Sequence, residues 1–203
     1  MSPLSRHHWI FDLDGTLTVP QHDFDAIRDS LGLLPGLPIL EQLATMDPDV
    51  AAPLHRQLFK IEEELARRAE PAPGAHNLIA TLRASGCQLA VLTRNNRRLA
   101  RIALAAIGLI DSFDEAVIFG RDEAEPKPSP DGVQQILAIW GAHASDTVVV
   151  GDSIFDLQAG REAGAATVLV DVHGRGAGWT EWFDLCVPSL TDLLSDTSLV
   201  KPR

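Results

Sequence analysis

The sequence predicts an α/β fold in which a parallel β-sheet is flanked by helices. From His76 onward, apolar runs of strand length alternate with segments that have helical apolar spacing. Such alternation favours right-handed βαβ units and therefore a parallel sheet. Glycine falls where four of the predicted helices should end, namely at Gly86, Gly108, Gly141 and Gly164.

The elements follow one another in a simple order. The first strand is the apolar run Trp9–Phe11. The alternation then predicts helix 75–85, strand 88–93, helix 96–107, strand 115–119, helix 130–140, strand 147–151, helix 154–163 and strand 166–170. A short strand near 185–187 and a final helix from Ser189 complete the pattern.

The composition is that of a globular protein. The chain has 203 residues, of which 45% are hydrophobic and 22% charged, enough for one α/β core with a modest insertion. No apolar run approaches the roughly 18 residues of a membrane span, and no secretory signal is expected before the first strand. Cys87 and Cys186 are interpreted as free, buried thiols, so we expect a reducing, cytoplasmic location.

The net charge of −11 argues against nucleic acid as a partner, because binding to a phosphate backbone requires a basic patch. It also repels small anions at long range. Any phosphate site in this chain must therefore create its positive potential locally.

Two carboxylates end the first strand. Asp12 and Asp14 are separated by one residue, and Gly15 follows at once and breaks the regular strand geometry. Carboxylates this close repel each other unless a cation joins them. Taken in isolation, the same residues are also compatible with an acidic, solvated turn.

Three further segments carry polar groups at or between the ends of predicted strands. They are Thr93–Arg94, Lys127 between two prolines, and Gly151–Ser153 with Asp156. The carboxyl ends of parallel strands lie along one edge of a sheet, where ligands bind. We therefore expect all of these groups to converge around a single cation beside Asp12.

This combination resembles the haloacid dehalogenase superfamily, specifically its phosphatase branch. Asp12-Leu13-Asp14-Gly15-Thr16 matches the first motif of the family, Thr93 the second, Lys127 the third, and Gly151-Asp152-Ser153 with Asp156 the fourth. The matches occur in the family's order and span most of the chain. The resemblance implies a Rossmann-like core and an enzyme similar to phosphoglycolate phosphatases, which are phosphoric monoester hydrolases.

The resemblance also implies catalytic roles. Asp12 would attack phosphorus as the nucleophile, and Asp14 would serve as general acid and then general base. Lys127 would neutralise the nucleophile and the transferring phosphoryl group. Thr93 and Arg94, together with Lys127, would bind the phosphate of the substrate.

A magnesium site is implied by the same resemblance. Its ligands would be the side chains of Asp12 and Asp152 and the backbone carbonyl of Asp14, with Asp156 acting through water or behind the ligands. Mg²⁺ suits a site of few carboxylates, water and phosphate. The alternative for Asp152 and Asp156 is a purely structural role at the start of the following helix.

Residues 18–72 have little strand character. Helical spacing is present at Asp25–Leu33, Ile39–Met46 and Asp49–Ala69. This block resembles the small helical cap that one branch of the family inserts between its first two motifs. We therefore expect a core of residues 1–17 and 73–203 and a cap of residues 18–72. Candidates for substrate selection, with an ordinary surface role as the alternative, are His22, Asp23, Arg56 and Lys60.

The expected function is that of a Mg²⁺-dependent phosphohydrolase that cleaves a small phosphorylated metabolite through an aspartyl-phosphate. A phosphomutase on the same scaffold is the nearest alternative. From a different class, a phospho-aspartate signalling or binding protein also combines Asp, Thr, Lys and Mg²⁺. Such a domain is shorter, however, and has no helical insertion after its first strand.

Overall fold

The structure is a computed structural model that describes residues 3–21 and 23–195. Within these ranges it contains six strands, namely β1 (His8–Phe11), β2 (Gln88–Leu92), β3 (Ile118–Phe119), β4 (Thr147–Gly151), β5 (Ala166–Val170) and β6 (Leu185–Val187). The helices are α1 (Phe24–Leu31), α2 (Ile39–Ala44), α3 (Pro48–Arg67), α4 (Ala75–Ala84), α5 (Arg97–Ala106), α6 (Asp131–Trp140), α7 (Ile154–Glu162) and α8 (Leu190–Leu194).

The six strands form one parallel sheet in the order β3-β2-β1-β4-β5-β6. Helices cover both faces of this sheet, so its strands are apolar on both sides. In β1, Trp9 and Phe11 pack with α4, α5 and α8, whereas Ile10 packs with α6 and α7 on the opposite face. The predicted α/β fold with a parallel sheet is confirmed.

The register of β1 determines where the polar groups at the strand ends lie. Phe11 pairs with Val91 of β2 on one side and with Val150 of β4 on the other. The backbone N–H of Asp12 continues this pairing and donates to the carbonyl of Val150 at 2.9 Å. The residues that follow β1, β2 and β4 therefore meet at the point where the strand order reverses, which is where ligands bind in open α/β sheets.

The cap helices, α1 to α3, lie between β1 and α4 in the chain. They enclose a hydrophobic cluster of their own, formed by Ile27, Leu31, Leu33, Ile39, Leu43 and Leu58. The chain enters and leaves this region through two adjacent segments. The N–H of Val19 donates to the carbonyl of Glu70, and the N–H of Ala72 donates to the carbonyl of Leu17, both at 2.9 Å.

Several predicted elements are shorter in the structure, and two of them show why. The expected strand 115–119 begins as a 3₁₀ turn at Glu115–Val117, because the Asp114 carboxylate accepts from the N–H of Ala116 and caps that turn. Only Ile118–Phe119 remains as strand β3. Helix α1 ends at Leu31, because Gly32 follows it in the left-handed conformation (φ 67°).

The cysteine prediction was half wrong. Both thiols are free and Cys87 is buried as expected, but Cys186 is exposed. It lies in the edge strand β6, where its side chain is on the opposite face from the buried Val187. None of the described helices is both long and apolar enough to cross a membrane.

Candidate active site

A buried lysine lies beside the carboxylate that ends β1. The ammonium of Lys127 donates to Asp12 Oδ1 at 2.6 Å, to Asp156 Oδ1 at 2.5 Å and to the carbonyl of Leu92 at 2.7 Å. These contacts use all three of its N–H groups, and the side chain is only 3% exposed. The fold therefore holds one positive charge at a fixed position against Asp12.

Three carboxylates share this location. One oxygen from each of Asp12, Asp152 and Asp156 lies within 4.8 Å of the other two. Glycines make this approach possible. A Cβ on Gly15, whose φ is +94°, would lie 2.6 Å from Asp152 Oδ2, and one on Gly151 would lie 2.3 Å from Cγ of Asp156.

Asp156 is a second partner of the buried lysine. It contacts Lys127 directly and is almost fully buried, and its expected role through water or behind the metal ligands stays a prediction. Its second oxygen accepts from Ser153 at both the backbone N–H (3.0 Å) and the hydroxyl (2.6 Å). This capping box at the start of α7 fixes the carboxylate, and the Ser-x-x-Asp pattern was the available signal for it.

The crowding of acids raises proton affinities in the site. Burial raises the pKa of Asp12 well above its ordinary value, and Lys127 only partly opposes this effect. Burial and the negative charge of Asp156 raise the pKa of Asp152 to about 6. The pKa of Lys127 is also raised, because attraction by Asp12 and Asp156 outweighs the effect of its burial.

These residues fit a hard divalent cation. Three converging carboxylates face one buried ammonium, so the local charge is negative and the available donors are oxygen atoms. Oxygen ligands of this type, few in number and open to a cleft, suit Mg²⁺. Asp14 is partly exposed and lines the same cleft.

The end of β2 supplies the hydroxyl expected from the sequence. Thr93 is buried, and its Oγ1 accepts from the N–H of Asn95 at 3.0 Å. Arg94 lines the cleft as expected, with its guanidinium 4.9 Å from the centre of the Phe155 ring. It also forms an ion pair at 3.0 Å with Glu41 of the cap, a contact that the sequence did not reveal.

A cleft of about 490 Å³ extends from these groups to the cap helices. Sequence reasoning missed three arginines that line it, Arg28, Arg121 and Arg175. Arg121 lies two residues after β3, so the strand-end pattern could have found it, whereas no local pattern distinguishes the other two from surface charges. Arg121 pairs with Glu62 of the cap at 3.4 Å, and Arg175 lies 3.8 Å from Asp152.

Three of the cap residues proposed from the sequence lie outside the cleft lining. Asp23 caps α1 by accepting from the N–H of Ala26. Arg56 and Lys60 are exposed and are not part of the cleft lining. His22 lies outside the described residues.

Comparison with known proteins identifies the family. The sequence model of the haloacid dehalogenase-like hydrolases matches residues 32–164, more than half of the chain. The chain belongs to the haloacid dehalogenase-like hydrolase family. The family expected from the motifs is thereby confirmed, and the phosphatase names of the relatives described next confirm the expected class of enzyme.

Similar members of the family align over nearly the whole chain. Pyrophosphatase PpaX of Halalkalibacterium halodurans is 29% identical over 96% of this chain and 97% of its own. A phosphoglycolate phosphatase of Chromobacterium violaceum is 30% identical, covering 90% and 92%. A solved hydrolase from Pseudomonas syringae superposes with a TM-score of 0.77 at 25% identity, covering 94% of this chain and 97% of its own.

In this haloacid dehalogenase-like hydrolase, residues from all four motifs lie at one edge of the sheet. Asp12 and Lys127 are in direct contact, and Asp152 and Asp156 join them. Thr93 follows β2, the strand that pairs with β1. The expectation that distant segments converge beside Asp12 agrees with this geometry.

Proposed function

We propose that this protein is a Mg²⁺-dependent phosphohydrolase that cleaves a small phosphorylated metabolite through an aspartyl-phosphate on Asp12. The observation that carries the proposal is the buried contact of Asp12 with Lys127, at 2.6 Å, inside a group of three carboxylates at the base of a cleft. The phosphatase names of the relatives support the same reaction.

Asp12 is the nucleophile. One of its carboxylate oxygens forms a bond to phosphorus while the bond between phosphorus and the leaving oxygen breaks. The contact between Lys127 and Oδ1 leaves Oδ2 as the attacking atom. Lys127 keeps the carboxylate oriented and offsets the negative charge of the transferring group.

Asp14 moves the protons. In the first step it gives a proton to the leaving oxygen, which departs as an alcohol. In the second step its carboxylate takes a proton from water, whose oxygen attacks phosphorus and frees Asp12 and inorganic phosphate. Its place on the cleft wall, two residues after Asp12, suits both steps.

The phosphate oxygens are held by the end of β2. The hydroxyl of Thr93 accepts from Asn95, so its own hydrogen is free to point at a phosphate oxygen. Arg94 adds a positive charge at the cleft wall. Asp12, Asp152 and the Asp14 carbonyl would hold Mg²⁺, which supplies charge neutralisation for the phosphoryl group when bound.

The cap is proposed to comprise residues 18–72, with the core formed by 1–17 and 73–203. Two observations support these limits. The cap helices have their own hydrophobic cluster, and the chain crosses between the two parts at adjacent segments, where Thr18 bridges Pro71. The two connecting segments between cap and core could therefore act together as a hinge.

The test is a panel of phosphorylated metabolites assayed for inorganic phosphate, with Mg²⁺ and with EDTA. We expect release that requires Mg²⁺ and is abolished in Asp12→Asn. Asp29→Asn, on the exposed face of α1, is the matched control and keeps full activity. Undiminished turnover by Asp12→Asn would remove Asp12 as the nucleophile, and isomerised product without phosphate release would indicate a phosphomutase.

A further inference from the structure

One arginine of the cap lines the cleft and has a buried donor without a partner. Arg28, in α1, lines the cleft with a side chain that is 13% exposed. Its Nη2 pairs with the Asp25 carboxylate, and its Nη1 donates to the carbonyl of Leu37 at 3.3 Å. Its Nε is buried and has no hydrogen-bond partner. A buried N–H without an acceptor is costly, so a small shift of the side chain that brings this donor to an acceptor in the cleft would relieve that cost.

Arg28 also differs from the other cations of the cleft in its ionic partner. Within the described part of the chain, the remaining lysine and arginines of the lining each lie within 4 Å of a carboxylate that lines the cleft as well. These pairs are Arg94–Glu41, Arg121–Glu62, Lys127–Asp12 and Arg175–Asp152. The partner of Arg28, Asp25, is not part of the lining and its side chain is 81% exposed.

An exposed carboxylate of this kind neutralises its partner only weakly, because water screens the pair. The surroundings of Arg28 on the cleft side are different. Ile27, Ile39 and Leu58 line the same wall and are buried. Apolar neighbours lower the local dielectric and strengthen an ion pair that forms beside them.

We propose that Arg28 binds a second anionic group on the leaving part of the substrate, a carboxylate or a phosphate. The preferred substrates are then phosphate monoesters that carry an additional anion. This inference rests on the proposed phosphohydrolase function and adds the chemical class of its substrate. Arginine suits the role because its guanidinium presents paired N–H donors that match two oxygens of a carboxylate or phosphate.

The experiment compares substrates that differ in the second anion. Phosphoglycolate is paired with ethyl phosphate for the carboxylate, and propane-1,3-diol bisphosphate with propyl phosphate for the phosphate. For each pair, the ratio of kcat/KM values is measured in the wild type, Arg28→Met and Arg28→Lys. Comparing ratios between variants cancels the intrinsic reactivity of each ester.

We expect Arg28→Met to lower the ratio roughly 10- to 100-fold for at least one pair, while kcat/KM for the ester without the second anion changes little. Arg28→Lys should keep part of the preference, because it keeps the charge but loses the paired donors. The pair that responds identifies carboxylate or phosphate as the anion. Arg101→Met, in an exposed ion pair with Glu115, is the matched control and leaves both ratios unchanged.

An unchanged ratio in a folded Arg28→Met protein would overturn the inference, as would a wild type that favours neither anionic ester. Neither result would affect the proposed phosphohydrolase reaction, which requires only that phosphate is released. If no ester were hydrolysed, the proposed function would fail instead. The role of Arg28 would then be tested separately by calorimetric binding of phosphoglycolate and of propane-1,3-diol bisphosphate to the wild type and to Arg28→Met. If each ligand bound the two proteins with equal affinity, the result would count against the inference.

Discussion

The carboxyl edge of the sheet and the cap helices line the same cleft with different kinds of charge. At the sheet edge, Lys127 and Asp156 are almost fully buried, and every donor of the lysine is used. On the cap, Glu41 is 55% exposed and Arg28 keeps an unused donor. This difference teaches that burial in the core fixes the charges that would perform the reaction. The charges on the cap, which would face the leaving group, can be substituted without disturbing the core.

The largest expected effect comes from removing the buried cation at the sheet edge. Lys127→Met leaves Asp12 and Asp156 without a counter-charge. We therefore expect the free energy of unfolding at pH 7 to fall by about 3–5 kcal/mol and phosphatase activity to be lost. Urea unfolding measures the first effect. Lys60→Met, on the exposed surface of α3, is the cap control and should change neither quantity. Equal stability of the two variants would contradict the comparison.

Two glycines provide a sharper contrast. Gly15 and Gly36 both have positive φ, of 94° and 75°, but a Cβ on Gly15 meets the Asp152 carboxylate and one on Gly36 meets nothing within 4 Å. Substitution by Ala should cost each about 1–2 kcal/mol from backbone strain. Only Gly15→Ala should also lose activity, by at least 100-fold, because Asp152 must move. Matched phosphate-release assays check this, and full activity in Gly15→Ala would refute it.

The sheet edge should also respond to pH in the absence of metal. The folded pKa of Asp152, about 6, exceeds its ordinary value of 3.8, so between these limits the folded state binds more protons than the unfolded state. The free energy of unfolding therefore falls as pH rises through this window, with a slope of at most about 1.4 kcal/mol per pH unit from this residue. Above the window the contribution of Asp152 to the slope disappears.

Thermal unfolding in EDTA from pH 4 to pH 7 measures that slope. Asp152→Asn should flatten it and should be more stable than the wild type at pH 7. The cap control is Asp29→Asn, which should keep the wild-type slope. A slope that is identical in Asp152→Asn and the wild type would assign the pH response to other groups.

The smallest expected effect concerns the ion pairs that join the two regions. Arg121–Glu62 is mostly buried, with side chains 19% and 12% exposed, whereas Arg98 in the pair Arg98–Glu63 is 68% exposed. Double-mutant cycles should give a coupling of about 1 kcal/mol or more for the first pair and about 0.5 kcal/mol or less for the second. A larger coupling energy for Arg98–Glu63 than for Arg121–Glu62 would show that burial does not determine the strength of these ion pairs.

The sequence predicted the sheet edge better than the cap side of the cleft, for a physical reason. Asp12, Thr93 and Asp152 each follow a strand, and the parallel arrangement of strands alone brings such positions together. Arg28 reaches the cleft only through the packing of the cap helices against the core, which depends on contacts far apart in sequence, and its local pattern is that of an ordinary surface arginine. Arg121 follows β3 at the sheet edge, so the same strand-end rule could have found it.

Local capping explains why the expected strand 115–119 is short. The Asp114 side chain accepts a hydrogen bond from nearby backbone and replaces the first residues of that strand with a 3₁₀ turn, which competes with strand pairing. A second capping interaction, between Ser153 and Asp156, holds the Asp156 carboxylate where it contacts Lys127. Apolar periodicity, which predicts the helices and strands, does not reveal either interaction.

The short outer strands of the sheet have a consequence for the behaviour of the protein at high concentration. β3 has two residues and β6 has three, so each edge strand of the sheet exposes only a few backbone N–H and C=O groups. Long, flat edge strands can pair with strands of other molecules and start aggregation, whereas short edge strands offer few groups for such pairing. The brevity of β3 and β6 therefore protects this hydrolase from growing into intermolecular sheets.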